Sequence, residues 1–130
     1  MTPTPEWPVA FFDDDYLRIY RPQFQPERTA AETRFIAASL GVTPGAEVLD
    51  LACGFGRHTI GMAARGFRMT GLDFSPAAVE QARVLARLAG ADADFVVSDV
   101  YDAPRALGET AFDLVFTGIG ALCWLPDIRR

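Results

Sequence analysis

The sequence contains no lysine, so its positive charge comes only from arginine, and acidic residues outnumber arginines to give a formal net charge of −5 over 130 residues. The arginines are scattered, and no basic run exceeds the Arg129–Arg130 pair. A protein that binds a nucleic-acid backbone usually concentrates its positive charge on one surface. The composition therefore argues against a nucleic-acid partner.

Cysteine and histidine are also scarce. The chain has two cysteines, Cys53 and Cys123, which do not form a CxxC pair, and a single histidine, His58. This set contains no metal-binding pattern, and we expect reduced thiols in a cytoplasmic protein. No basic segment followed by an apolar one opens the chain, and no stretch approaches the roughly 18 apolar residues of a membrane span. We therefore expect no signal peptide and no membrane partner.

Short apolar runs alternate with helical patterns along the chain. The runs predict strands at 46–52, 67–73, 93–99 and 111–117. Continuous apolar runs of this length are typical of parallel strands that are covered on both faces. The sequence therefore predicts an α/β fold with a doubly wound parallel sheet and helices on both faces.

Helix boundaries are marked by capping residues. Thr29 and Glu32 have the spacing of a capping box, which predicts a helix that begins there. Ser75 followed by proline predicts an N-cap, and Gly90 predicts the end of the same helix. Pro104 is expected to break the connection between the last two strands.

The stretch VLDLACGFGRHTI (48–60) predicts a strand, a glycine turn and a helix. A nucleoside-triphosphate loop would need a lysine after the glycines, and there is none. A dinucleotide site would need glycine or alanine where Thr59 stands, which weakens that interpretation without excluding it. S-adenosylmethionine is the third possibility. Gly54 and Gly56 would allow close approach, the helix N-terminus suits its carboxylate, and Asp50 suits its positive charges.

The ends of the next two predicted strands carry further carboxylates. Asp73 can accept hydrogen bonds from ribose hydroxyls, although dinucleotide sites use the same geometry. Asp99 can accept from the exocyclic amine of adenine, with the backbone amide of Val100 available to a ring nitrogen. Phe74 and Val100 are positioned to sandwich the purine. All of these residues fall at the carboxyl ends of strands, where open α/β sheets bind ligands.

Four motifs in order, VLDLACGFGRHT, GLDFS, FVVSDVYD and AFDLVFTGIGALCWLPD, resemble those of class I S-adenosylmethionine-dependent methyltransferases over about residues 30–127. The resemblance implies a Rossmann-like fold, S-adenosylmethionine as cofactor and methyl transfer to a small-molecule acceptor. It also implies that Asp50, Ala52 and Gly54 line the methionine moiety. Thr117 and Gly118 would border the amino-acid end of the cofactor and the methyl acceptor. The fullest form of the first motif has glycine where Ala52 stands, and a methyl group there is small. No residue is assigned as a catalytic base.

Family members resemble one another in having seven strands in the order 3-2-1-4-5-7-6, whereas the fourth predicted strand ends shortly before Arg130. We therefore expect an N-terminal cap at residues 1–28 and an incomplete cofactor-binding domain at 29–130, with about 80–100 further residues in a longer enzyme. Strand 4 would then be an edge prone to self-association. A dinucleotide-dependent oxidoreductase and a non-catalytic cofactor-binding fragment remain as alternatives.

Overall fold

A computed structural model describes residue 18 and residues 26–118 of the chain. Within these residues the chain alternates between helices and strands. The order is α1 (Pro26–Ser39), β1 (Glu47–Leu51), α2 (Arg57–Ala64), β2 (Arg68–Asp73), α3 (Pro76–Ala89), β3 (Ala93–Val97), a 3-10 turn (Val100–Asp102), α4 (Ala103–Leu107) and β4 (Leu114–Thr117). None of the described helices is long and apolar enough to cross a bilayer.

The four strands form one parallel sheet in the order β3-β2-β1-β4. β1 lies between β2 and β4, with Asp50 in register with Gly71 on one side and with Phe116 on the other. The predicted strand order and parallel arrangement are confirmed. Because all four strands run in the same direction, their carboxyl ends meet along one edge of the sheet, which is where the predicted site residues lie.

The two faces of the sheet bury different side chains. On one face, Val48 and Met69 pack with residues of α1 and α2, and Phe95 of β3 packs with α3. On the other face, Leu49 and Leu72 pack against the short helix α4. Helices therefore cover both faces, as a doubly wound sheet requires.

The boundaries of α3 follow the predicted caps. The Ser75 hydroxyl accepts a hydrogen bond from the backbone N–H of Ala78, and Pro76 occupies the first turn. Gly90 ends the helix in the left-handed conformation, with φ 65°. Both capping predictions for this helix are confirmed. They could be made from the sequence because each cap depends only on neighbouring residues.

The capping-box prediction for α1 is wrong. The helix includes Pro26, so Thr29 lies inside it and α1 runs through the predicted domain boundary between residues 28 and 29. The Thr29 carbonyl accepts a hydrogen bond from the Thr33 hydroxyl at 2.6 Å, and the Glu32 carboxylate binds side chains of α2 instead of capping its own helix. A second prediction also fails, since Pro104 lies in the first turn of α4, where its missing N–H costs nothing.

The two edges of the sheet differ. On β3, the Arg83 guanidinium of α3 donates a hydrogen bond to the Phe95 carbonyl at 2.9 Å and so covers an outward-facing backbone acceptor. On β4, the side chain of Val115 is 55% exposed, and no described residue pairs with the strand's outer side. The β4 edge is therefore the less protected of the two.

Candidate cofactor site

The turn between β1 and α2 is built from three residues in the left-handed region of backbone space. Ala52, Gly54 and Gly56 have φ angles of 62°, 60° and 84°. Ala52 is the only residue other than glycine with a positive φ in the described part of the chain. The predicted glycine turn is therefore present, and Ala52 adopts a conformation that suits glycine better.

The two glycines serve different purposes. A Cβ atom at Gly54 would meet no atom within 4 Å, so the space beside it is open to a ligand. A Cβ atom at Gly56 would lie 2.9 Å from the Phe95 ring and 3.1 Å from the Cβ of Ala82. Gly56 is thus required by packing inside the protein, whereas Gly54 faces the open side of the turn.

Asp73, at the end of β2, fastens the turn to the sheet. Its Oδ2 accepts a hydrogen bond from the Gly54 N–H at 3.0 Å, and its Oδ1 accepts one from the Ser75 N–H at 2.9 Å. Burial raises the pKa of Asp73 above its usual range, and the backbone donors, Ser75 first, partly oppose that rise. Each carboxylate oxygen has a further lone pair, so Asp73 can hold the turn and still accept from a ligand hydroxyl.

Asp50 lies at the carboxyl end of β1, with only 2% of its surface exposed. The fully buried Thr59 of α2 donates its hydroxyl to Asp50 Oδ2 at 2.7 Å. Burial raises the pKa of Asp50 to about 7; the Thr59 hydrogen bond lowers it and the Asp73 charge raises it further. Thr59 is a residue that sequence reasoning missed. A hydroxyl on the inward face of α2, nine residues after a strand aspartate, was the available signal.

The remaining predicted residues lie at the ends of the other strands. Phe74 directly follows β2 and is half-buried, and Val100 begins the 3-10 turn after β3. Asp99 is exposed, and its Oδ1 accepts a hydrogen bond from the Tyr101 N–H at 2.8 Å, which leaves Oδ2 available. Thr117 ends β4 beside Leu51, and Gly118 follows it. The fold therefore brings all ten predicted site residues to the same edge of the sheet.

The first turn of α2 is bound to α1 through Glu32. The Glu32 carboxylate accepts from Arg57 at 2.8 Å, from His58 Nε2 at 2.7 Å and from Arg28 at 2.8 Å. The hydrogen bond from His58, followed by that from Arg28, lowers the pKa of Glu32 to about 2. Burial lowers the pKa of His58, so the neutral ring carries its proton on Nε2 toward the carboxylate. His58 is thus engaged in a structural contact.

Cys53 lies inside the turn as a free thiol. Burial raises its pKa, and the nearby charges of Asp50 and Asp73 raise it further. A thiol held in its protonated form is a poor nucleophile. Cys53 therefore serves as a small packing residue against Gly71, whose Cβ position would lie 2.9 Å from the sulfur. Cys123, together with the aromatic residues of the predicted cap, lies outside the described residues.

A groove of about 460 Å³ runs between α1 and α2. It is lined mainly by small and apolar side chains, among them Ala30, Ile60 and Ala64. It meets the glycine turn only through Phe55 and Arg57, and it lies on the side of the sheet that α1 and α2 cover. The groove is therefore separate from the edge where the strand-end residues gather.

A parallel sheet with a glycine turn after its first strand, and with carboxylates at the carboxyl ends of its first three strands, defines a Rossmann-like cofactor-binding domain. Residues 48–130 match the family model described as a methyltransferase domain. The chain is 38% identical over 81 residues to an uncharacterized methyltransferase from Synechocystis sp., covering 62% of this chain and 35% of that protein. It is 35% identical over 107 residues to trans-aconitate 2-methyltransferase from an Enterobacter species, which covers 81% of this chain and 39% of that protein.

Among solved structures, the chain resembles a methyltransferase from Thiobacillus denitrificans that was crystallised with S-adenosyl-L-homocysteine. The identity is 29% with a TM-score of 0.57, covering 76% of this chain and 38% of that one. The chain belongs to the class I S-adenosylmethionine-dependent methyltransferases, as the four motifs indicated. It spans 27% to 39% of the length of five curated relatives. None of the matches described supports the oxidoreductase alternative.

Proposed function

We propose that this chain binds S-adenosylmethionine across the carboxyl ends of β1, β2 and β3 and serves in methyl transfer to a small-molecule acceptor. The observation that carries the proposal is a pair of buried carboxylates at the open glycine turn. Asp73 holds the Gly54 N–H and retains lone pairs for a ribose, and Asp50 supplies negative charge for a cationic group.

Charge supports a cofactor with a cationic amino-acid end. The N-terminus of α2 at Gly56 has no side-chain cap, and the positive end of a helix favours a carboxylate. Asp50, a few residues earlier, supplies the opposite sign for an ammonium and a sulfonium. A pyrophosphate against the same turn would face the buried carboxylate of Asp50, which is 2% exposed. This repulsion is the physical argument against a dinucleotide.

The adenosine end fits residues of the second and third strands. Phe74 and Val100 would border the purine, and the exposed Asp99 would accept from its exocyclic amine through Oδ2, since Oδ1 is occupied by the Tyr101 N–H. Ala52 would lie beside the methionine moiety, with Thr117 and Gly118 next to the acceptor.

S-adenosylmethionine brings an activated methyl group and its own leaving group, so the protein's task is to position the reactants and exclude water. No catalytic base is assigned to this chain, because His58 is bound to Glu32 and the Cys53 thiol stays protonated. A small-molecule acceptor is supported by the acidic composition, with a net charge of −5. It is also supported by the relative that acts on trans-aconitate.

Two further proposals concern the surroundings of the chain. We propose a cytoplasmic location, which the free thiol of Cys53 supports. We also propose that the outer edge of β4 associates with a second copy of the chain. The Val115 side chain is 55% exposed, and no described residue pairs with the outer side of β4; such an edge with an apolar residue invites strand addition. Size-exclusion chromatography at increasing protein concentration tests the association, and a concentration-independent monomer would contradict it.

Isothermal titration calorimetry tests the cofactor assignment. S-adenosylhomocysteine should bind, and Asp73→Asn should weaken the binding because asparagine can accept at only one of its two terminal atoms. Asp113→Asn is a matched control, since Asp113 also accepts a backbone N–H, that of Glu47 at 2.8 Å, but at the opposite edge of the sheet. Binding of NADH in place of S-adenosylhomocysteine would overturn the proposal. Binding without methyl transfer to any acceptor would favour a non-catalytic module.

A further inference from the structure

The contact between Asp50 and Thr59 joins the end of β1 to the first turn of α2, beside the glycine turn. Among the described residues, only Thr59 donates a hydrogen bond to Asp50, from its hydroxyl to Oδ2 at 2.7 Å. One oxygen of the carboxylate is therefore fixed by α2, and no described residue donates a hydrogen bond to the other, Oδ1.

The charged groups around Asp50 act in opposite directions. The carboxylate of Asp73, on β2, disfavours the ionised form of Asp50, whereas the Arg57 guanidinium of α2 favours it. The neighbouring positions in register, Gly71 on β2 and Phe116 on β4, are uncharged. The Cys53 thiol in the turn stays protonated. Thr59 is therefore the one described side chain that donates a hydrogen bond to this carboxylate.

We propose that Thr59 is a positioning residue that holds the Asp50 carboxylate ionised under the turn, and thereby sets how strongly the site prefers the cationic cofactor over its neutral thioether product. This inference rests on the proposed function and concerns the same site. It explains a fully buried hydroxyl on the inward side of α2, where an apolar residue would pack equally well.

The physical reasoning is a linkage between ionisation and ligand charge. S-adenosylmethionine and S-adenosylhomocysteine share the adenosine and amino-acid groups and differ by one methyl group and one positive charge on sulfur. A cation near a carboxylate favours its ionised form, typically by one or more pKa units, and a hydrogen bond to that form acts in the same direction. Because the pKa of Asp50 lies at about 7, the cationic ligand should displace a proton near neutrality more fully than the neutral one.

Calorimetric titration of both ligands from about pH 6 to about pH 8, in two buffers of different ionisation enthalpy, measures the affinities and the protons released. The affinity ratio of the cationic to the neutral ligand should rise by about tenfold over this range. Thr59→Val, which replaces the hydroxyl by a methyl group, should move the midpoint of that rise upward by about one pH unit. Thr59→Ser keeps the donor and should restore the original midpoint.

Thr33→Val is the matched control, because Thr33 is equally buried at 1% exposure but donates its hydroxyl to the Thr29 carbonyl, away from Asp50. It should leave the midpoint unchanged. If both ligands bind the unaltered chain with the same pH dependence, the inference is overturned while the proposed function stands. If neither ligand binds, the proposed function fails as well. Should Thr59→Val fail to fold, the unaltered chain and Thr59→Ser still test the inference. A different midpoint of the pH-dependent affinity ratio in these two proteins would contradict the role given to the hydroxyl.

Discussion

Replacement of Ala52 by glycine should stabilise the protein. Ala52 has a φ of 62°, in the left-handed region, where a residue with a Cβ atom costs about 1–2 kcal/mol. Glycine removes that cost but gains about 0.4–1 kcal/mol of freedom in the unfolded chain. The balance favours Ala52→Gly by about 0.5–1 kcal/mol, which corresponds to a rise in Tm of about 3–6 °C for a domain of this size. The penalty of Ala52 is thus one of backbone conformation, whereas the sequence alone directed attention to the size of its methyl group.

Urea denaturation followed by circular dichroism measures this change, with Tm as a second readout. Ala31→Gly is a matched control, since Ala31 is exposed inside α1 and the same substitution there should cost about 0.5–1 kcal/mol. The two variants should move in opposite directions. If Ala52→Gly is neutral or destabilising while Ala31→Gly behaves as expected, the turn does not hold Ala52 in the left-handed conformation, and the argument fails.

Three further predictions concern the turn and its supports. Gly56→Ala should lower the free energy of unfolding by more than about 2 kcal/mol, because it adds a clash to the cost of a positive φ. Gly54→Ala should cost less, because its Cβ atom would meet no other atom within 4 Å. Equal losses of the two variants in urea denaturation would contradict this. Asp73→Asn should weaken S-adenosylhomocysteine binding at least about tenfold by calorimetry, with Asp113→Asn unchanged; equal effects would remove the special role of Asp73. Glu32→Gln should destabilise the protein at neutral pH, and its deficit should shrink in acid. The lowered pKa of Glu32 means that its contribution is present above the ordinary value of 4.5 and is lost as the pH falls toward about 2; a deficit that does not change with pH in urea titrations would refute the ion-pair explanation.

The sequence predicted those parts of the fold that depend on neighbouring residues or on apolar runs. The helix from Pro76 to Ala89 was predicted from the Ser75 cap and Gly90, and both caps form as expected. The strand order followed from the resemblance and the parallel arrangement from the apolar runs, and both are confirmed. These features are encoded over short distances, where propensity and capping geometry are sufficient.

The features that were missed depend on contacts between distant elements. Glu32 has the spacing of a capping box, yet its carboxylate binds Arg57 and His58, about 25 residues further on. Thr59 was considered only as a departure from a glycine pattern, and its hydroxyl instead supports Asp50. Neither partnership follows from a capping or turn rule, because each forms only when α2 packs beside β1 and α1.

The packing of the glycine turn after β1 depends on Phe95, which lies on β3, two positions away in the sheet. Its ring occupies the space that both Gly56 and Gly71 leave empty, 2.9 Å and 2.8 Å from the Cβ positions that these glycines lack. The three positions therefore form a single steric unit, and a side chain can be gained at either glycine only if the ring is reduced. In an alignment of relatives, a bulkier residue at position 56 or 71 should accompany a smaller one at position 95.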